Sequence, residues 1–368
     1  MESVLPAARA AVAASSSASQ RKRLVRLESR VLSPSSSEES ALSRCEPLKQ
    51  YSSPDAAIEL ALCRCTAFFV AANAGQGLVE CQAATDLVRA YYGTDHAMAL
   101  DAMRKMTMFY KHRSNLAAAI ELEKRILATR ERTAGTETRA YARSLMELGN
   151  DLTNAARYDE AAKVLEPALA FLQRQDQPPS MELGVAQLYV AENLVALGRN
   201  DQGIALAHSG FAMIERMRGA THGDVAKALM NYGNTLNAAG RREEALSAFR
   251  RGESLATQMF GPESPVTIGF PSMQADVLMN IGRAKEAVAP ARRAFELAQR
   301  IAGPNDAAIT EAVLGAALAK SGSVHEGRRH LLNARTRFLS TGEQGREGLQ
   351  EAEHLLSIYG GIPKDKTR

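Results

Sequence analysis

A repeat of 42 residues constrains the fold of this chain more than any other feature of its sequence. A small residue recurs at this spacing, and a last time after 40 residues, at Ala119, Ala161, Gly203, Ala245, Ala287 and Gly327. A second set of mostly small residues has the same spacing and lies five residues before the first set, at Ser114, Ala156, Gly198, Gly240, Gly282 and Gly322. Further glycines open the copies, at Gly93, Gly135, Gly219, Gly261 and Gly303. Internal repeats of this length are typical of solenoids, in which each unit packs on its neighbours.

Each of these positions has a steric role in a helix hairpin. Apolar residues between them follow helical spacing, as Leu229, Tyr232 and Leu236 do. A glycine that ends the first helix adopts the left-handed conformation that closes it, and the opening glycine closes the second helix in the same way. A small residue in the second helix lets it approach the first helix closely. Gly269 and Pro271 interrupt the pattern, so we expect the helix there to start late or to kink.

The small residues resemble the three small-residue positions of the tetratricopeptide repeat family. The first falls at Gly149, Gly233 and Gly315, and the second at Ala161, Ala245 and Ala287. The third is mostly matched at Ile126, Ala168, Gly210, Gly252, Ala294 and Ala334, where Ile126 departs from the pattern. The repeat length and the sequence Gly-x-x-His-Gly-Asp-Val-Ala at 219–226 are similar to the kinesin light chain and nephrocystin type. The resemblance covers 93–340, with a weaker copy at 54–92. It implies an all-α, right-handed α-solenoid of about seven hairpins, with 343–359 as a capping helix.

Composition divides the chain into three segments. Residues 1–52 are rich in serine and alanine and include twelve of the chain's serines within the first 50 positions, so we predict a disordered basic tail. We predict the solenoid over 53–360 and a short polar tail over 361–368. Three interpretations of the first segment stay open, namely an organellar transit peptide, a phosphorylated tail and a solvated linker.

Charge and hydropathy argue against nucleic acid and against a membrane span. The net charge of +4 comes from the two tails, since residues 53–360 hold 34 Lys and Arg against 35 Asp and Glu. A neutral body lacks the basic stripe that phosphate binding requires. The longest apolar run, from Ile58 to Gly75, is interrupted by Arg64 and is shorter than the roughly 20 strongly apolar residues of a membrane-spanning helix.

The sequence contains no motif that marks an enzyme, a metal site or a cofactor site. None of the seven histidines forms a His-Glu-x-x-His motif, and no phosphate loop or nucleophile elbow occurs. His222 is expected to cap the turn in which it lies. The four cysteines, for which we expect buried free thiols in a reducing compartment, are Cys45, Cys63, Cys65 and Cys81.

The resemblance implies that the first helix of each hairpin lines a concave groove. The polar and charged residues at these positions are Arg104, Lys111, Arg143, Asn150, Asn154, Glu192, Lys227, Asn234, Asn237, Asp276 and Asn280. An asparagine amide both donates and accepts hydrogen bonds, so it suits the backbone of a bound peptide. The competing interpretation is that these are solvated helix positions without a partner.

The expected function is therefore a non-enzymatic scaffold or adaptor that binds a peptide or helical segment of another protein in the groove. One alternative is a regulatory sensor that responds to a small ligand or a linked effector. A second is an enzyme with an unmarked site. The expected location is the cytoplasm, and the alternative is a mitochondrion or plastid reached through the N-terminal segment.

Overall fold

The computed structural model describes residues 38–50, 54–70, 74–112, 115–175, 180–301 and 303–359. Within these ranges every regular element is helical and no strand occurs, which confirms the predicted all-α class. The α-helices, numbered α1 to α16, are Glu38–Ser43, Pro54–Val70, Ala74–Tyr92, Ala97–His112, Leu116–Ala134, Arg139–Asn154, Tyr158–Gln175, Met181–Ala196, Asn200–Arg218, Gly223–Ala238, Arg242–Phe260, Pro265–Asn280, Ala284–Ile301, Pro304–Ser321, Val324–Ser340 and Arg346–Tyr359.

The helices follow the predicted succession of repeats. From α2 to α15 the even-numbered helices are the first helices of seven repeats and the odd-numbered helices are the second, and α16 follows as the C-terminal helix. The chain divides into two compact units after Ala155, with α1 to α6 in the first and α7 to α16 in the second. Each unit is described by itself below.

In the second unit each helix contacts the next along the chain, as hairpins require. The first helices also contact one another in order, α8 with α10, α10 with α12 and α12 with α14, while α16 contacts α14. One apolar cluster extends from Leu188 to Leu318 through these repeats. The first helices of the second unit therefore lie side by side and share one face.

Close helix packing explains the recurring small residues. A Cβ atom at Gly210 would lie 2.6 Å from the carbonyl oxygen of Gly184, and one at Gly327 would lie 2.6 Å from the backbone nitrogen of Ala319. Both distances are well below van der Waals contact with backbone atoms that cannot move independently of their helix. These glycines are required because the second helix of each pair approaches the backbone of the first.

The turns between paired helices use left-handed residues, as predicted. Gly240 has φ +83°, and its N–H and that of Arg241 donate to carbonyls at the end of α10. In an earlier repeat Ala156 takes the same role with φ 56°, although it carries a Cβ. Gly303 differs from the prediction, because its φ is −71° and it begins α14 instead of closing α13.

Two further predictions about the repeats have definite outcomes. His222 caps α10 as predicted, because its side chain accepts a hydrogen bond from the backbone N–H of Asp224 at 3.1 Å. Of the two effects expected of Pro271, the late start is wrong and the kink stays a prediction. Instead, α12 begins at Pro265, after a cap from the Ser264 side chain, and continues through Pro271.

The segment before the first repeat is helical, contrary to the prediction for the N-terminal tail. Residues 38–50 form α1 and a short 3₁₀ helix, and Leu48 is buried against α2. The prediction of disorder over 1–52 is therefore wrong for 38–50. Residues 1–37 and 361–368, which carry the other tail predictions, lie outside the described residues.

The prediction of free thiols is also wrong. Cys45 is bonded to Cys63, and Cys65 is bonded to Cys81, so no cysteine is free. Cys63 and Cys65 point to different sides of α2, as their spacing requires. One disulfide therefore joins α2 to the segment before it and the other joins α2 to α3.

Candidate partner-binding face

All the predicted partner-binding residues lie on first helices, in both units. In the first unit α4 carries Arg104 and Lys111, and α6 carries Arg143, Asn150 and Asn154. In the second unit α8 carries Glu192, α10 carries Lys227, Asn234 and Asn237, and α12 carries Asp276 and Asn280. The two sets differ in how many intramolecular partners they have.

In the first unit Lys111 is engaged within the protein. Its Nζ lies 2.7 Å from Oδ1 of Asp151, whose side chain is completely buried, and 3.7 Å from Oε2 of Glu147. Burial raises the pKa of Asp151, and the positive charge of Lys111 opposes this shift. The pair joins α4 to α6, since a buried carboxylate is costly without a cation.

Three arginines of the first unit, Arg104, Arg130 and Arg143, lie near one another. Arg130 of α5 donates to the carbonyl oxygen of Ala140 at 2.6 Å and to the Ser144 hydroxyl. Burial lowers the pKa of Arg130, and the nearby positive charges of Arg104 and Arg143 lower it further. Of the charged residues predicted in this unit, Lys111 is therefore paired within the protein, and Arg104 and Arg143 lie close enough to Arg130 to repel its charge.

Among these internal partners, only Asp151 could have been anticipated from the sequence. Asp151 lies between apolar neighbours, three residues after Leu148 and next to Leu152, so its position on a buried helix face was readable. Arg130 lies on a second helix, and nothing in the repeat pattern relates it to Arg104.

In the second unit, three of the predicted residues lack an intramolecular partner. Glu192, Asn234 and Asp276 occupy the same position of three consecutive first helices, 42 residues apart, and each is half-buried. Within the described part of the chain, none of the three makes a hydrogen bond or an ion pair. We call these three residues the central row. Their polar atoms keep some contact with water, so they can exchange that water for the donors and acceptors of a ligand.

Burial also changes the acidity of the two carboxyl groups of the central row. It raises the pKa of Glu192, and no charged residue of the chain contributes to that shift. It raises the pKa of Asp276 to about 6, against a smaller opposing effect of Lys320 on α14. Each carboxylate is therefore less stable in its charged form than it would be in water.

The remaining predicted residues surround the central row. Asn237 lies one turn further along α10 and is half-buried, whereas Lys227 and Asn280 are exposed. Among the residues the structure describes, no group of three or more His, Cys, Asp or Glu side chains is arranged to hold a metal ion. The face offers donors, acceptors and negative charge along three neighbouring helices.

Comparison with known families identifies the repeat. A family model described as tetratricopeptide repeat matches residues 142–174. This match covers 33 of the 368 residues and identifies one tetratricopeptide-type repeat there. A search of curated proteins finds no match. None of the helices in the described ranges is both long and apolar enough to cross a membrane.

Three solved structures are similar to this chain at low sequence identity. A Rap protein complexed with competence and sporulation factor is 12% identical, with a TM-score of 0.55 over 88% of this chain and 92% of that one. The Rap conjugation gene regulator of plasmid pLS20, in complex with the Phr* peptide, is 15% identical, with a TM-score of 0.49 over 86% and 99%. A putative kinesin light chain from Podospora anserina is 17% identical, with a TM-score of 0.40 over 55% and 96%. At 12% identity, the first likeness shows a common fold.

Proposed function

We propose that this chain is a non-enzymatic scaffold that holds a peptide or helical segment of another protein on the first-helix face of its second unit. The observation that carries this proposal is the central row of Glu192, Asn234 and Asp276, which is half-buried and unpaired within the described residues. Three polar side chains at one position of neighbouring helices, none of them engaged within the described protein, can all hydrogen-bond to a ligand.

An extended peptide would supply what the central row lacks. Asn234 can accept from one backbone N–H and donate to one backbone carbonyl of the same peptide, whatever its sequence. Asn237 can repeat this contact one turn along α10. Each such hydrogen bond contributes about 0.5–1.5 kcal/mol. The Rap protein that shares the fold was solved with competence and sporulation factor, which is in keeping with a binding role for such a face.

The disulfides bear on the compartment in which this function operates. Paired cysteines persist in oxidising environments and are rare in the cytosol. The two bonds Cys45–Cys63 and Cys65–Cys81 therefore favour an oxidising environment over the cytoplasm that the sequence suggested.

Selection of peptides tests the proposal directly. A random peptide library displayed on phage is selected against the full-length chain, and the enriched peptides are measured by fluorescence anisotropy. The double variant Asn234→Ala and Asn237→Ala should bind at least about tenfold more weakly, because it loses up to four hydrogen bonds. Its far-ultraviolet circular dichroism should be unchanged, since alanine is a good helix former.

A matched control uses the second helices. Gln258→Ala on α11 with Gln299→Ala on α13 removes two exposed amides from the second helices. This control should bind the selected peptides like the unmodified chain. Equal weakening by both double variants, or no weakening by the asparagine variant, would place the binding surface elsewhere.

A further inference from the structure

The central row is acidic at both ends and neutral in the middle. Glu192 on α8 and Asp276 on α12 flank Asn234 on α10, and no cation of the described chain forms an ion pair with either carboxylate. An ionised carboxylate that is half-buried without a partner is costly, and a cation brought by a ligand would offset that cost. The row therefore complements positive charge.

Two lysines on first helices of this unit, Lys227 and Lys320, do not fill this role. Lys320 on α14 influences Asp276 at long range but forms no ion pair with it. Lys227 is exposed and lies two turns before Asn234 on α10, about 10 Å along the helix. Each carboxylate thus remains available to an external cation.

The helix spacing sets how far apart two such cations must be. Packed helices lie 8–10 Å apart, so Glu192 and Asp276, two helices apart, are separated by roughly 16–20 Å. An extended chain advances about 3.3 Å per residue, which corresponds to five or six residues. Because side chains alternate between the two sides of an extended chain, an even spacing of six places both on the same side.

We propose that the partner segment is an extended peptide with two basic side chains six residues apart, one against Glu192 and the other against Asp276. Asn234 then holds the peptide backbone between them. This inference rests on the proposed function and specifies the ligand of the same face. Arginine is the favoured cation, because its guanidinium group makes two parallel hydrogen bonds to a carboxylate.

Synthetic peptides test the spacing. Fluorescein-labelled twelve-residue peptides of serine and alanine carry two arginines, the second placed three, six or eight positions after the first. Binding to the full-length chain is followed by fluorescence anisotropy. The peptide with a spacing of six should bind at least tenfold more tightly than the peptide with a spacing of three, which can reach only one carboxylate. Equal affinity across the spacings would overturn the inference.

Variants of the two carboxylates separate this inference from the proposed function. Glu192→Gln and Asp276→Asn should each lower affinity for the peptide with a spacing of six about tenfold, and together they should abolish the spacing preference. Glu296→Gln, which removes an exposed charge from α13, should leave affinity unchanged.

Three outcomes contradict one or both claims. If the carboxylate variants bind normally while Asn234→Ala with Asn237→Ala weakens selected peptides, the requirement for basic residues is wrong and the proposed function stands. If Glu296→Gln weakens binding as much as the other two, the effect is one of net charge and the inference is wrong. If none of the variants of the face affects any peptide, both claims are wrong.

Discussion

Replacing Gly210 with alanine tests the close approach of paired helices. The new Cβ would lie 2.6 Å from the carbonyl oxygen of Gly184 and 2.9 Å from Cβ of Gln187, so α8 and α9 would have to separate by roughly 0.7 Å to restore normal contact. Overpacking of this kind costs about 1–3 kcal/mol. The higher helix propensity of alanine offsets about 1 kcal/mol of this cost. We therefore expect Gly210→Ala to lower the free energy of unfolding by about 1–2 kcal/mol.

Gly269 provides a control in the same unit with the same substitution. It lies inside α12, and the nearest atom to its new Cβ is the terminal methyl of Met230 at 3.2 Å, which can move away. Gly269→Ala should therefore stabilise by about 0.5–1 kcal/mol. Urea unfolding followed at 222 nm measures both changes as shifts of the midpoint at constant slope. A Gly210→Ala protein as stable as the original would show that the helices do not pack this closely.

Other perturbations address the turn, the buried carboxyl group and the disulfides. Ala156→Gly should stabilise the protein by about 1 kcal/mol in thermal unfolding, because Ala156 adopts φ 56°. Gly240→Ala should destabilise it by about 1–2 kcal/mol, because Gly240 adopts φ +83°. Effects of the same sign would contradict this account. Folding raises the pKa of Asp276 from about 4 to about 6, so stability should fall as pH rises through this interval. Asp276→Asn should remove that fall and raise stability at pH 7 by about 1–3 kcal/mol, and a pH profile identical to that of the original chain would refute the assignment. Cys45→Ser and Cys65→Ser should each cost about 3 kcal/mol in urea unfolding, and titration of the unreduced chain should find no free thiol; four reactive thiols would contradict both expectations.

The repeats were predictable because their constraints are local and steric. A turn that needs positive φ selects glycine, and four of the copies meet that requirement with Gly198, Gly240, Gly282 and Gly322. Gly303 was misassigned because the sequence does not show on which side of the turn a glycine lies. The helical segment 38–50 was not predicted, because its composition is rich in serine. Its position depends on Leu48 and on the disulfide of Cys45, which composition does not show.

The candidate face was predictable in register but not in its partners. The repeat identified the equivalence of Glu192, Asn234 and Asp276, whereas their lack of partners depends on which neighbouring side chains reach them. Lys111 was grouped with them, although it forms an ion pair with Asp151. A pairing between two helices depends on three-dimensional distance, which the 42-residue spacing does not determine.

Photo-crosslinking tests the central claim most directly. A peptide selected against the full-length chain carries benzophenone at its central position, and the crosslinked residues are identified by mass spectrometry. Our account predicts crosslinks on α8, α10 and α12, close to Glu192, Asn234 and Asp276. Crosslinks concentrated on the second helices α9, α11 and α13 would contradict it.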